Sequence, residues 1–351
     1  MEKKLNLGIE WLRIASAFMI CILHILGKGG VLYSLTPGTI PHIAYWLLET
    51  LSLCAVNEFA LISGFVANNR KKTNAVRLFD LWMQVFFYSF FITILFFVFG
   101  KNDNYGYSFL LKCAFPITFN IFWYFTAYFV VSLIKPVLHP FLFSQSESQA
   151  KYMIVILVLV FCCVGEFTDS FQINHGYSAI WLIIMYCVGV LMKQGKVMNN
   201  QKSILLLLVL FFCIGAQWYI NLSVTDLDQL SYSSFFVVVS SMIIMILFSR
   251  ISSYRRRIIT VSSLSFGIYL FQLSPLIWAK LLDNRAAFVV KLPLLQGVGV
   301  VFLLSIGLFL LGALCEKIRS LIYNKLNIHR FSEKMVFLLN HCLSLFASML
   351  N

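Results

Sequence analysis

Ten stretches of almost uninterrupted apolar sequence decide what this chain can fold into. They lie at roughly 7–26, 44–67, 77–100, 117–138, 152–168, 176–192, 203–222, 231–249, 261–280 and 294–315. Each is close to the roughly 20 residues that carry an α-helix across the hydrocarbon of a bilayer. Within that layer every backbone N–H and C=O must be bonded inside the chain, so runs of this kind become helices. The expected fold is an all-α polytopic bundle of about ten transmembrane helices. Composition agrees, since 60% hydrophobic and 12% charged residues exclude a water-soluble globule and 35 Phe argue against disorder.

The 27 Lys and Arg are unevenly placed. With the first helix starting inside, 20 of them fall on the inner segments, six on the outer ones, and Arg13 lies within a span. That bias predicts a multipass membrane protein with both termini in the cytoplasm. The net charge of +13 is then a product of topology, and the lipid bilayer, not nucleic acid, is the expected partner. The first run holds an Arg and a His, so it reads as a retained helix and not as a signal peptide. Nine cysteines, mostly inside apolar runs and without a Cys-x-x-Cys pair, read as small buried hydrophobes. Residues 1–320 are expected to form one membrane domain and 321–351 a cytoplasmic amphipathic tail, with Leu338, Leu339, Cys342 and Leu345 opposite Lys334 and His341. An eleventh span is the alternative for that tail.

Ionisable groups inside the hydrocarbon are costly, so their positions point to function. Arg13 and His24 are eleven residues apart, which puts them on one helix face about 16 Å apart along the axis. Glu10 lies one turn before Arg13 as an ion-pair partner. The competing reading is that Arg13 and Glu10 anchor the helix while His24 bonds a neighbouring helix. Ser63-Gly64 supplies a hydroxyl or merely permits close helix packing, and without Gly-x-Ser-x-Gly it is no nucleophile elbow. Arg70, Lys71, Lys72 and Arg77 form an inner basic cluster, in which Arg77 opens a helix with Asp80 one turn on. Trp123, Tyr124, Tyr269 and Gln272 fall in the outer halves of their spans. Glu166 lies at the edge of an outer loop, nearest the hydrocarbon. No P-loop, His-Glu-x-x-His or carboxylate array is present, so neither nucleotide hydrolysis nor a metal is expected.

Several of these segments resemble the acyltransferase 3 family of multipass membrane acyltransferases, especially bacterial members that O-acetylate surface polysaccharides. Arg13 and His24 stand in that family's Arg-x10-His arrangement, and Ile62-Ser63-Gly64-Phe65 resembles its Ser-Gly-Phe/Tyr signature. Phe122-Trp123-Tyr124-Phe125 followed by Pro136, then Gly176-Tyr177-Ser178 with Trp181, Tyr186 and Gly189, then Ser265 through Leu270 and Glu316-Lys317 are similar to later family segments, in the same order. Gln272 stands where many members carry a His, so no second imidazole is transferred. Glu58 stands where an uncharged residue is expected. None of the sequence is expected to form the extracytoplasmic hydrolase-like domain of the two-domain relatives.

The resemblance implies an O-acyltransferase that takes an acyl group, most simply acetyl from acetyl-CoA, to a hydroxyl of a glycan or lipid-linked glycan. His24 offers a base near neutral pH, or the nucleophile of an acyl-histidine relay, with Arg13 beside it on the catalytic face. Arg70 and Arg77, with Ser63, are the candidates for holding the donor. Trp123, Tyr124, Glu166, Tyr269 and Gln272 are those for the acceptor and acyl group. A glycan flippase or polymerase-like translocation protein is the alternative, with Arg13 and His24 lining a path.

Overall fold

The computed structural model describes residues 6–69, 74–99, 106–164, 169, 171–197, 202–223, 231–252 and 256–349, among which no strand occurs. Arg70 and Glu166 lie outside them. Helix α1 (Leu7–Leu26) starts at Asn6, whose side chain accepts the Ile9 N–H. Helix α2 (Ile40–Phe65) starts at Thr39 with Pro41 in its first turn, and α3 (Ala75–Phe99) starts at Asn74. These caps satisfy N–H groups that a helix leaves open at its start. The chain continues through α4 (Tyr107–Ala114), α5 (Trp123–Phe143), α6 (Glu147–Val164), α7 (Ala179–Gln194), α8 (Ser203–Asn221) and α9 (Phe235–Ser249). It ends with the short pair α10 (Arg256–Ser262) and α11 (Ser265–Leu273), then α12 (Leu294–Lys325) and α13 (Ile328–Met349).

Each of the ten apolar runs contains a helix, the fourth only from Trp123. Seven helices, α1, α2, α3, α5, α6, α8 and α12, are long and apolar enough to cross a membrane; the run at 261–280 lies in the helix pair Arg257–Leu273 and Pro275–Lys291, which is bent by 59° and makes an eighth when counted as one broken span. The other two runs, α7 and α9, give helices of 16 and 15 residues. Their first residues leave the helix for polar reasons. Ser178 caps α7 through Trp181 N–H, and Ser231–Ser234 form a buried polar segment in which Ser234 donates to Gln217.

The centre of the bundle is α2, packed along α1 on one side and α7 on the other. The α2–α7 crossing is set by two glycines. A Cβ on Gly64 would lie 2.0 Å from the Tyr186 carbonyl oxygen, and one on Gly189 would lie 2.2 Å from that of Leu61. Backbones this close exclude any side chain, so Gly64 of the Ser-Gly-Phe segment serves helix packing. Helix α12 is tied to α3 by Glu316, which accepts from Gln84 Nε2 at 3.1 Å, Tyr88 OH at 2.9 Å and the Arg319 guanidinium at 2.6 and 2.8 Å. Helix α13 packs against α3, with His329 Nδ1 2.8 Å from Asp80 Oδ2 and Phe331 beside Phe79.

Candidate active site

The polar face of α1 is used at both ends, and each end meets the α10–α11 segment. At the Glu10 end, Arg13 Nη1 lies 3.1 Å from both carboxylate oxygens of Glu10. Ser262 donates to that carboxylate, and Ser265 Oγ donates to the Arg13 carbonyl at 3.3 Å. Arg13 therefore does not touch His24; it fastens α11 to α1.

At the other end, Gln272 is seven residues after Ser265 and so returns to the same face of α11. Its Oε1 lies 2.7 Å from His24 Nδ1, and its Nε2 donates to Cys21 Sγ at 3.4 Å. An amide oxygen only accepts, so Nδ1 carries the imidazole proton and Nε2 keeps a free lone pair. Nε2 has no hydrogen-bond partner among the described residues.

One residue beyond α11 the chain breaks. Pro275 disfavours a helical conformation for Ser274, which is extended at φ −55° and ψ 128°, and this produces the 59° bend. The bend turns Trp278 edge-on to the His24 ring, with centroids 5.2 Å apart and planes at 84°. His24 is thereby held by an amide on one side and an indole on the other.

Beside this imidazole is a cavity of about 50 Å³, walled by Trp123, Tyr124, Tyr232, Phe266 and Tyr269 with Ile20, Leu23, Val56 and Phe59. Space of that size holds a few water-sized groups, which suits a small acyl group or one hydroxymethyl. Tyr124 and Tyr269 pack at 5.9 Å, and Trp123 stacks on Tyr232 at 6.3 Å. The hydroxyls of Tyr124 and Tyr269 are buried without a partner.

The fold thus gathers His24, Gln272, Trp123, Tyr124 and Tyr269 from α1, α11 and α5 into one place. It keeps three other candidates apart. Ser63 Oγ donates to Tyr128 OH at 3.2 Å, in a second polar cluster where Lys135 Nζ reaches Tyr128 OH at 3.2 Å and packs over the rings of Tyr128 and Tyr186. Arg77 lines a pocket of about 330 Å³ together with Asp80, Gln84, Arg319, Asn324 and His329. Asp80 is engaged by His329 instead of Arg77, so the Arg77 guanidinium stays exposed and without an ion pair among the described residues.

Lys135 and Tyr232 were not singled out in the sequence. Lys135 counts there as one more inner basic residue, and Tyr232 follows a run at 224–230 that carries no helical pattern. No group of three or more His, Cys, Asp or Glu able to hold a metal ion occurs among the described residues.

A family model described as an acyltransferase domain matches residues 6–317. The chain belongs to the acyltransferase 3 family. It is a membrane acyltransferase with several spanning helices, and every cavity residue named above lies within the matched stretch. Helix α13, which closes one side of the Arg77 pocket, lies beyond it. No curated protein and no solved structure matches the chain.

Proposed function

We propose that this acyltransferase moves an acyl group, most simply acetyl, from an acyl-CoA to a hydroxyl of a surface polysaccharide or lipid-linked glycan in a bacterial inner membrane. The observation that carries the reading is the His24–Gln272 contact, which leaves a basic Nε2 beside a small aromatic cavity.

The reaction follows from that geometry. Nε2 of His24 takes the proton of the acceptor hydroxyl as its oxygen bonds to the acyl carbon. The carbon–sulfur bond then breaks, and His24 returns the proton to the departing sulfur, giving an ester and a thiol. The hydroxyls of Tyr124 and Tyr269, unpartnered at the cavity wall, are placed to donate to the oxygen that becomes negative in between. Nucleophilic attack by Nε2 itself, through an acyl-histidine, uses the same lone pair.

The donor's phosphates need cations that are not already neutralised. Arg77 meets that need, at the mouth of a pocket large enough for part of a nucleotide. Arg13 acts as a positioning residue: its guanidinium orients the Glu10 carboxylate, which Ser262, just before α11, reaches from the segment that carries Gln272. Ser63, with Tyr128 and Lys135, lies on α2 and α5 as a further contact for the donor.

The test is the surface glycan of cells with and without the gene. Loss of an alkali-labile ester on an otherwise intact polymer supports the transferase. Loss or shortening of the polymer with its esters retained supports a translocation protein instead.

A further inference from the structure

Among the described residues, seven bury a side-chain oxygen or nitrogen that finds no hydrogen-bond partner, and five of them belong either to the cavity wall or to one face of α2. Tyr124 and Tyr269 stand at the cavity wall. The other three are His42, Tyr45 and Glu49 of α2, unpartnered at Nδ1, OH and Oε2. At 3.6 residues per turn, positions 42, 45 and 49 fall within a sector of about 60°, and Val56 of the cavity wall lies in the same sector. Glu49 is about 10 Å along the helix from Val56. Its carboxyl is close enough to Tyr232, another wall residue, for their charges to interact.

Polar groups elsewhere at this level of the bundle are paired. Asn221 Nδ2 donates to Thr50 Oγ1 at 2.9 Å, Gln217 Nε2 to Asn221 Oδ1 at 2.8 Å, and Asn57 Nδ2 to the Tyr232 carbonyl at 2.8 Å. A buried polar atom left unpaired is destabilising, so a row of three on one face marks a place where a partner binds. Glu49 is only 4% exposed, and no ion pair engages it among the described residues.

The chemistry of the row defines the partner. A buried carboxyl group exchanges O–H bonds with two neighbouring hydroxyls, a phenol and an imidazole both donate and accept, and the stacked rings of Trp123 and Tyr232 offer a flat apolar floor. A sugar presents hydroxyls on its edge and C–H bonds on its face. We propose that Glu49, with Tyr45 and His42, forms a subsite for a hydroxyl-rich acceptor, gripping the part of the glycan next to the sugar unit whose hydroxyl reaches His24. The proposal rests on the acyl-transfer reading, to which it adds the residues that hold the acceptor.

The test measures binding, so that it does not depend on turnover. The full chain in lipid nanodiscs is titrated with the methyl glycosides of glucose, galactose, mannose, rhamnose and N-acetylglucosamine, reading tryptophan fluorescence. At least one glycoside should bind, and Glu49→Gln should weaken that binding by about tenfold or more, the loss of a buried carboxyl that bridges two hydroxyls. Glu58→Gln, half a turn round α2 and equally buried, should leave it unchanged. If Glu49→Gln fails to accumulate, Glu49→Asp carries the comparison, because it keeps the carboxyl but withdraws it by one carbon and should also bind more weakly. Binding of no glycoside by the wild type, or equal affinity in the wild type and a folded Glu49 variant, overturns the subsite. Glycoside binding that depends on Glu49 in a protein that consumes no acyl-CoA sinks the transfer reading and leaves the subsite standing.

Discussion

Nδ1 of His24 and Oε1 of Gln272 lie 2.7 Å apart, across 248 residues of sequence. The contact fixes which imidazole nitrogen holds the proton and which is a base. Gln272→Leu should therefore lower kcat by about a hundredfold while the KM values for donor and acceptor stay near wild type, because the tautomer is lost and the cavity is not. Gln272→Glu, which still offers an oxygen to Nδ1, should recover part of the rate. Steady-state kinetics of the reconstituted protein decide it. An unchanged kcat for Gln272→Leu removes the contact from the mechanism.

Arg77 is the free cation of the 330 Å³ pocket, whereas Arg13 and Arg319 are already paired with Glu10 and Glu316. Arg77→Ala should raise the KM for acyl-CoA by about tenfold, the loss of a charge-assisted phosphate contact worth about 1.5 to 3 kcal/mol. Lys71→Ala should change it little. A donor titration that finds equal, small effects for both returns the cluster to a topological role.

The contact between His329 and Asp80 makes the docking of α13 sensitive to pH. The hydrogen bond and charge of Asp80, with a smaller effect from Glu333, hold the imidazolium, so the His329 pKa is raised above its ordinary value. A group raised in the folded state contributes fully below its unfolded pKa, about 6.5 for histidine. Its contribution fades as pH rises through the raised value. Hydrogen-exchange protection over Ile328–Met349, taken relative to the intrinsic base-catalysed rate at each pH, should be high at mildly acid pH and lower above neutrality, and His329→Gln should show low protection at both. Protection that ignores pH in the wild type contradicts the clasp.

Gly64 and Gly189 admit no side chain at the α2–α7 crossing. Gly64→Val and Gly189→Val should each lower the melting temperature in detergent and reduce accumulation in the membrane, since overpacking costs about 1 to 3 kcal/mol or more where backbone must move. Ser63→Ala, beside Gly64 but facing Tyr128, should accumulate normally. Wild-type stability in both valine variants would show that the helices can part at no cost.

The bundle and much of the site were legible because both rest on local pattern. Apolar length predicted a helix in each of the ten runs, though not the short α4 between two of them, and the eleven-residue spacing placed Arg13 and His24 on one face. The polar ends of two runs were not legible: Ser178 and Ser231–Ser234 sit beside apolar residues, and only their caps and the contact to Gln217 show that the helix has not begun. Gln272 was visible as a residue but not as a partner, since its role arises where Ser265 and Pro275 set the height and the bend of α11. The same limit hid Asp80, which turns to His329, more than 240 residues away and outside the stretch that carries the family pattern. His42, Tyr45 and Glu49 looked like the polar start of a helix until their lack of partners set them apart.

The central claim is that His24 Nε2 performs the proton transfer, and His24→Gln tests it most directly. The variant keeps similar volume and an amide at that position but has no group that exchanges a proton near neutral pH. In the full chain reconstituted with acetyl-CoA and its glycan acceptor, it should accumulate and melt like wild type while acyl transfer falls by about a hundred- to ten-thousandfold. Robust glycan acylation by a well-folded His24→Gln protein would contradict the account and assign the base to another residue.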